Sequence, residues 1–169
     1  MSEAHVAKDA RIRPARPNDI EPCAQIAKRA WAPIMAARGA VMGPDLQRRE
    51  RGDDPLEAKA DEVRRFCATH PDSVLVTELD GLVVGFLTFH ADRATGILTL
   101  GNNAIDPDHQ GRGLGTAQYD HVLNWARDNG FAYAKVMTGL DECHAAARAA
   151  YRKAGFDIAI PGVTYYRKV

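Results

Sequence analysis

The 169 residues carry 22 Lys+Arg against 22 Asp+Glu, for a formal net charge of +0, with 46% hydrophobic and 26% charged residues. A chain of this length buries one substantial core, so a single domain over residues 1–169 is expected. Balanced charge leaves no electrostatic footprint for nucleic acid or an anionic membrane, and no apolar run approaches a transmembrane span.

The opening M-S-E-A-H-V-A-K-D lacks the apolar region of a signal peptide, and residues 1–10 read as a loose polar leader. Cys23, Cys67 and Cys143 make no metal-spaced cluster and cannot all pair, which points to a reducing cytoplasm. Residues 11–16 read as a short strand with solvated arginines. Asn18-x-x-Glu21 has the spacing of a capping box. Behind it Ile20, Cys23, Ala24, Ala27, Trp31 and Ile34 fall on one helical face. Pro33 has no N–H to donate and is expected to end or kink that helix. From 35 to 54 the periodicity dissolves. That stretch is expected to be a solvated connection, the alternative being a flexible wall of a substrate site.

Asp54 caps a second helix, with Pro55 at its first position and Glu57 completing the box; Leu56, Ala60, Val63 and Cys67 share its face. It must stop before His70-Pro71. Apolar runs 74–79 and 82–89 flank Asp80-Gly81, a strong hairpin signal. A third strand covers 97–105. A helix follows over 114–127, with Tyr119, Val122, Leu123 and Ala126 on one face and Asn129-Gly130 as its stop. Residues 133–138 read as a strand and 141–154 as a helix. Two last strands, 156–160 and 163–167, flank Pro161-Gly162. The order β-α-α-β-β-β-α-β-α-β-β describes a mixed α/β domain.

Between the third strand and the third helix lies A-I-D-P-D-H-Q-G-R-G-L-G, residues 104–115. Glycines let the backbone take unusual φ/ψ and approach a ligand closely. They lead into a helix N-terminus, whose unpaired N–H groups and dipole favour an anion. A dinucleotide fingerprint counted from Gly111 would need glycine or alanine where Thr116 stands, and no Gly-Lys-Ser/Thr of a Walker loop occurs. Gln110-x-x-Gly113-x-Gly115, preceded by Ile105-x-Pro107, resembles the pyrophosphate-binding segment of the GNAT superfamily of acyl-CoA N-acyltransferases. Taken alone it is matched equally by an ordinary glycine-rich loop capping a helix. Tyr151-x-x-x-Gly155-Phe156 is similar to a second segment of that family, at the right distance and on the right element.

The resemblance covers nearly the whole chain. It implies a mixed, mostly antiparallel central sheet of about seven strands flanked by four helices, with a bulged and splayed strand pair holding CoA. It implies acetyl-CoA as co-substrate and no metal; the histidines have no metal-ligand spacing with carboxylates or cysteines. For the cofactor it implies Ile105, Gln110, Gly111, Arg112, Gly113, Leu114, Gly115 and Thr116. Backbone N–H groups would cradle the pyrophosphate, the Gln110 amide would organise the turn, and backbone at Ile105 would polarise the thioester carbonyl.

Tyr151 stands where the family's general acid would protonate the departing thiolate; the structural alternative is a core tyrosine. Two departures concern the base. The strand before the turn has no carboxylate, only Asn102 and Asn103, which could hold a water that relays the proton. His144 stands seven residues before Tyr151, where asparagine is usual. It could contact CoA, deprotonate the amine, or merely end a helix. The activity implied is acetyl transfer to a primary amine of a small molecule or peptide, by direct attack in a ternary complex. A homodimer is compatible with it. The alternatives are a non-catalytic acyl-CoA-binding regulatory module of the same fold and an unrelated nucleotide-binding protein.

Overall fold

Asp80 and Gly81 adopt φ of 52° and 79°, the left-handed pair that a two-residue hairpin requires. They fold β2 (Val74–Leu79) onto β3 (Leu82–Asp92) in the computed structural model, which describes residues 9–169. β1 (Arg11–Pro14), β4 (Ile97–Ile105) and β5 (Tyr133–Val136) complete a sheet of order β1-β2-β3-β4-β5. Every pairing is antiparallel except β4 with β5, which is parallel.

Helices cover both faces. α1 (Ile20–Arg51) and α2 (Pro55–Thr69) bury Cys23, Ile26, Ala27, Val63 and Cys67 against Val74, Val76 and Phe86. On the other face α3 (Leu114–Asp128) and α4 (Ala145–Lys153) bring Tyr119, Val122, Ala126 and Tyr151 onto Leu87, Phe89, Leu98 and Leu100. Asp54 caps α2 as its sequence predicts, accepting from the N–H groups of Leu56 and Glu57 at 3.0 and 2.9 Å. Glu57 does not close the box; its carboxylate pairs with Lys28 and Arg64.

Several expectations are corrected. Residues 35–51 are helical rather than an irregular connection. α1 passes Pro33 and leaves helical φ/ψ only at Gly43 (φ 76°, ψ 164°), a conformation suited to glycine, after which Pro44 restarts it. The two segments lie against each other, with Gln47 donating to the Met35 carbonyl at 2.9 Å. The Asn18 capping box is replaced by Asp19, which accepts from the Arg16 N–H at 2.7 Å. Arg13 is buried, not solvated, and pairs with Asp19 at 2.6 Å and Glu78 at 2.7 Å.

Among the described residues the sheet has five strands, not about seven. Residues 156–160 and 163–167 alternate as strands do, yet they take no regular structure and join no ladder. The polar leader lies outside the described residues over 1–8, while Ala10 packs on Val84, Ile105 and Leu114. Among the described residues no helix is long and apolar enough to cross a membrane.

Candidate active site

The site begins where two strands part. β4 and β5 pair from Ile97↔Tyr133 to Leu100↔Val136, and β5 then ends while β4 continues to Ile105. The opening leads into a cleft of about 800 Å³ that reaches from Trp31 on α1 to the glycine turn and α4.

A β-bulge sits at the point of parting. Leu87 pairs with Asn103 and Phe89 with Leu100, so Gly101 and Asn102 together oppose Thr88. Gly101 is required there, because a Cβ would lie 2.6 Å from Thr88 Oγ1. The extra residue inverts the alternation of β4. Leu98 and Leu100 face α3 and α4, and past the bulge that face passes to Asn103 rather than Asn102.

The backbone beyond the bulge has its own consequence. Asp106 N–H donates to the Val84 carbonyl at 2.8 Å. Hydrogen-bonded pairs alternate in an antiparallel ladder, so Phe86 and Ala104 form the next one. Ile105 and Asn103 are then the intervening residues, whose N–H and C=O groups point away from β3 and into the opening. Gln110 Nε2 donates to the Ile105 carbonyl at 3.0 Å, tying the glycine turn to the strand and leaving the Ile105 N–H on the open side.

The turn takes the predicted form. Gly111 and Gly113 have φ of 72° and 76°, and Gly113 is the N-cap of α3, without a side-chain hydrogen bond there. Leu114 is buried under the turn against Ile105 and Val84, while Gly115 and Thr116 line the cleft in the first turn of α3. Those N–H groups have no intrahelical acceptor and face the cleft, a fit for a pyrophosphate. Arg112 is exposed and donates to the Asp108 carbonyl at 3.3 Å. Arg29 of α1 braces the front of the turn through Asp106 at 2.6 Å and Asp108 at 2.8 Å.

Tyr151 is buried to 7% exposure, and its hydroxyl meets Asn103 across the cleft. Asn103 Nδ2 donates to that hydroxyl at 3.1 Å, while Asn103 Oδ1 accepts from Tyr119 at 2.8 Å. Burial, reinforced by the neighbouring Tyr151, holds the Tyr119 phenol well above its usual range. Tyr119 therefore stays a donor to the amide oxygen, and the Tyr151 hydroxyl also lies within donating distance of that oxygen, at 3.3 Å.

Asn102 and Asn103 both line the cleft, but their side chains take different partners. Asn102 faces α2, where Oδ1 accepts from Lys59 Nζ at 2.6 Å and Nδ2 donates to Glu62 at 3.0 Å. Burial works to raise the Glu62 carboxyl, yet the hydrogen bonds from Lys59 and Asn102 prevail and hold it below the usual range. Burial pulls Lys59 down, and its ammonium lies 4.6 Å over the Trp31 ring.

His144 lines the cleft just before α4. Its Nδ1 lies 2.9 and 2.8 Å from the two oxygens of Asp141, which the hydrogen bond holds below the usual carboxylate range. A carboxylate on Nδ1 fixes the tautomer with Nε2 as the free acceptor. Arg148 steadies this loop by donating to the carbonyls of Gly139 and Asp141 at 2.8 and 2.6 Å.

Sequence reasoning missed Tyr119, Lys59, Glu62 and the partnership of Asp141 with His144. The Asp141–His144 spacing of three was the one local signal. Among the described residues no group of three or more His, Cys, Asp or Glu is placed to hold a metal ion.

The fold has many counterparts among solved structures. The PaiA N-acetyltransferase of Thermoplasma acidophilum, solved with coenzyme A, is 15% identical with a TM-score of 0.64, covering 89% of this chain and 91% of that one. The ribosomal-protein-S18-alanine N-acetyltransferase of Escherichia coli is 21% identical with a TM-score of 0.63, covering 89% and 79%. A GNAT family acetyltransferase of Brucella melitensis, in complex with acetyl-CoA, is 22% identical with a TM-score of 0.58, covering 93% and 96%. At such identities the likeness is one of fold. A search of curated protein sequences gives no significant match. The family model described as "Acetyltransferase (GNAT) family" matches residues 43–156, a span that holds α2, the β2–β3 hairpin, the bulged strand, the glycine turn and Tyr151. The chain belongs to the acetyltransferase (GNAT) family.

Proposed function

We propose that the chain is an acetyl-CoA-dependent N-acetyltransferase, acting on a primary amine of a small molecule or peptide by direct attack in a ternary complex. The observation that carries this reading is the Tyr151 hydroxyl, held by Asn103 in a cleft that begins where β4 and β5 part. Acetyl-CoA, when bound, supplies the activated acyl carbon and a thiolate leaving group.

The N–H groups of the glycine turn hold the pyrophosphate at the start of α3. The Ile105 N–H faces the opening and stabilises charge developing on the acyl oxygen. Tyr151 donates its proton to the departing sulfur, and Asn103 keeps the phenol aimed. An amine must shed a proton to attack, and His144 Nε2 takes it while Asp141 holds Nδ1–H. Asn102 and Asn103, which both line the cleft, are the alternative place for a water that relays the proton.

A non-catalytic CoA-binding module remains the second reading. It is favoured by the lack of a carboxylate on β4 between Ile97 and Ile105 and by the engagement of Glu62 with Lys59 and Asn102. Free-thiol release from acetyl-CoA, followed against a panel of amines, separates the two. Amine-dependent release supports the enzyme. CoA binding without release under any amine supports the module.

A further inference from the structure

The cleft has two ends, and the N-acetyltransferase reading gives the glycine turn to acetyl-CoA and leaves the other end to the amine. Trp31, Pro33 and Ile34 of α1, Asn102 of β4, and Cys143 and His144 before α4 build that second end. Cys143 Sγ donates to the Pro33 carbonyl at 3.7 Å, which ties the turn carrying His144 to α1 and sets the proposed base beside an apolar wall. Among the described residues no aspartate or glutamate lines the cleft. The carboxylates just behind its walls are engaged. Asp106 and Asp108 pair with Arg29, Asp141 with His144, and Glu62 with Lys59, Arg51 and Asn102.

We propose that the acceptor is a primary monoamine on an apolar body, with no second charge; the proposal rests on the N-acetyltransferase reading. A second ammonium would enter a space that offers it no carboxylate. Behind Trp31 and Asn102 it would meet Lys59 and Arg51, two cations set against the single carboxylate of Glu62. A charge taken out of water without a partner is costly, so the site discriminates against polycations. An acceptor carboxylate fares no better. Lys59 is buried, its ammonium donates to Asn102 Oδ1 at 2.6 Å and to Glu62 at 2.9 Å, and the Trp31 ring lies 4.6 Å from it. The Arg29 guanidinium is held by Asp106 and Asp108. What the walls do offer is apolar surface from Trp31, Pro33 and Ile34. The amine nitrogen bonds the acetyl carbon as the carbon–sulfur bond breaks. Its proton passes to His144 Nε2, and the sulfur takes the Tyr151 proton. The product is a neutral amide, which suits the same uncharged walls.

The test measures thiol release from acetyl-CoA by the full chain with matched amines. Hexylamine is set against hexamethylenediamine, which adds a second ammonium, and phenethylamine against phenylalanine, which adds a carboxylate. The member of each pair without the extra charge is expected to have the higher kcat/KM, by a factor on the order of 100. Equal or better use of the charged member, or turnover of an aminoglycoside in place of hexylamine and phenethylamine, overturns the proposal and leaves the N-acetyltransferase reading standing. Release with no amine at all overturns both. A variant supplies the converse, because Ile34→Glu puts into this end the carboxylate it lacks. It is expected to shift the ratio of hexylamine to hexamethylenediamine about tenfold toward the diamine, with CoA-induced thermal stabilisation kept. A folded, CoA-binding Ile34→Glu that leaves the ratio unmoved overturns the assignment of this end to the acceptor. The comparison of amines on the parent chain does not depend on that variant folding.

Discussion

Asn103 and Tyr151, 48 residues apart, meet across the cleft with the amide donating to the phenol at 3.1 Å. The Asn103 oxygen accepts from Tyr119 at 2.8 Å and lies 3.3 Å from the Tyr151 hydroxyl, so one amide holds both phenols. Tyr151→Phe is expected to lower kcat by roughly 10²–10⁴ with little change in the KM for acetyl-CoA. Asn103→Ala should lower kcat less. It should also cost about 1–3 kcal/mol of stability by leaving the buried Tyr119 hydroxyl unpaired. An unchanged kcat for Tyr151→Phe, with chemistry rate-limiting, returns Tyr151 to a packing role.

His144 and Asp141 make a separate prediction. With proton removal at Nε2, the pH–rate profile has an ascending limb that depends on His144. His144→Asn is expected to lose that limb and much of kcat while keeping acetyl-CoA affinity. Asp141→Asn should give an intermediate loss, since it keeps an oxygen near Nδ1 but removes the charge that steadies an imidazolium. A limb that survives in His144→Asn assigns the proton to another acceptor.

The glycines of the turn are not equivalent. Gly113 sits at φ 76°, and Gly113→Glu adds strain, bulk and negative charge where the pyrophosphate is expected. It should abolish CoA-induced thermal stabilisation in a protein that still folds. Gly115 has no positive φ, and a Cβ there would stand 3.9 Å from Ile105 Cγ1, an ordinary contact. Gly115→Ala is therefore expected to weaken CoA binding far less. Equal loss in both variants argues against a backbone cradle centred on Gly113.

Asp19 offers a stability test away from the cleft. Its hydrogen bond from buried Arg13, opposed by burial, holds its carboxyl below the ordinary value of 3.8. A depressed folded value stabilises the protein fully above the unfolded value. That contribution fades as pH falls from about 4 through the folded value. Asp19→Asn should destabilise by about 1–3 kcal/mol at pH 7, because buried Arg13 loses one of its two carboxylates and keeps Glu78. The difference from the parent protein should shrink below pH 4. Chemical denaturation at both pH values measures it.

The parts of the fold legible in the sequence are those governed by local chemistry. The Asp80-Gly81 hairpin, the Asp54 cap and the glycine turn each depend on what a few neighbouring residues do to the backbone. Residues 35–51 misled because their apolar periodicity is weak, although Ala36, Ala37, Ala40, Leu46, Gln47 and Arg48 are good helix formers. Propensity, not pattern, was the signal there. The alternation in 156–160 and 163–167 predicts two strands that the structure does not form, because a strand exists only where an edge receives it. Tyr119 looked like any tyrosine on an apolar helix face. Its meeting with Asn103, and that of Asn102 with Lys59 and Glu62, are made by tertiary packing across 16 to 43 residues. The spacing of these residues carries no trace of those contacts.

The bulge at Gly101-Asn102 makes the register of β4 as consequential as its composition. Exchanging one side chain there alters one contact. If the bulge were ironed flat with every residue kept, Gly101 alone would oppose Thr88 and each later residue would slip one place, turning Asn103 toward α2 and Ala104 toward Tyr119 and Tyr151. Deleting Gly101 removes the bulge without that slip, because Asn102 then opposes Thr88 while Asn103 still opposes Leu87. Every later side chain keeps its face, and what is lost is the local bend and twist where β4 leaves β5.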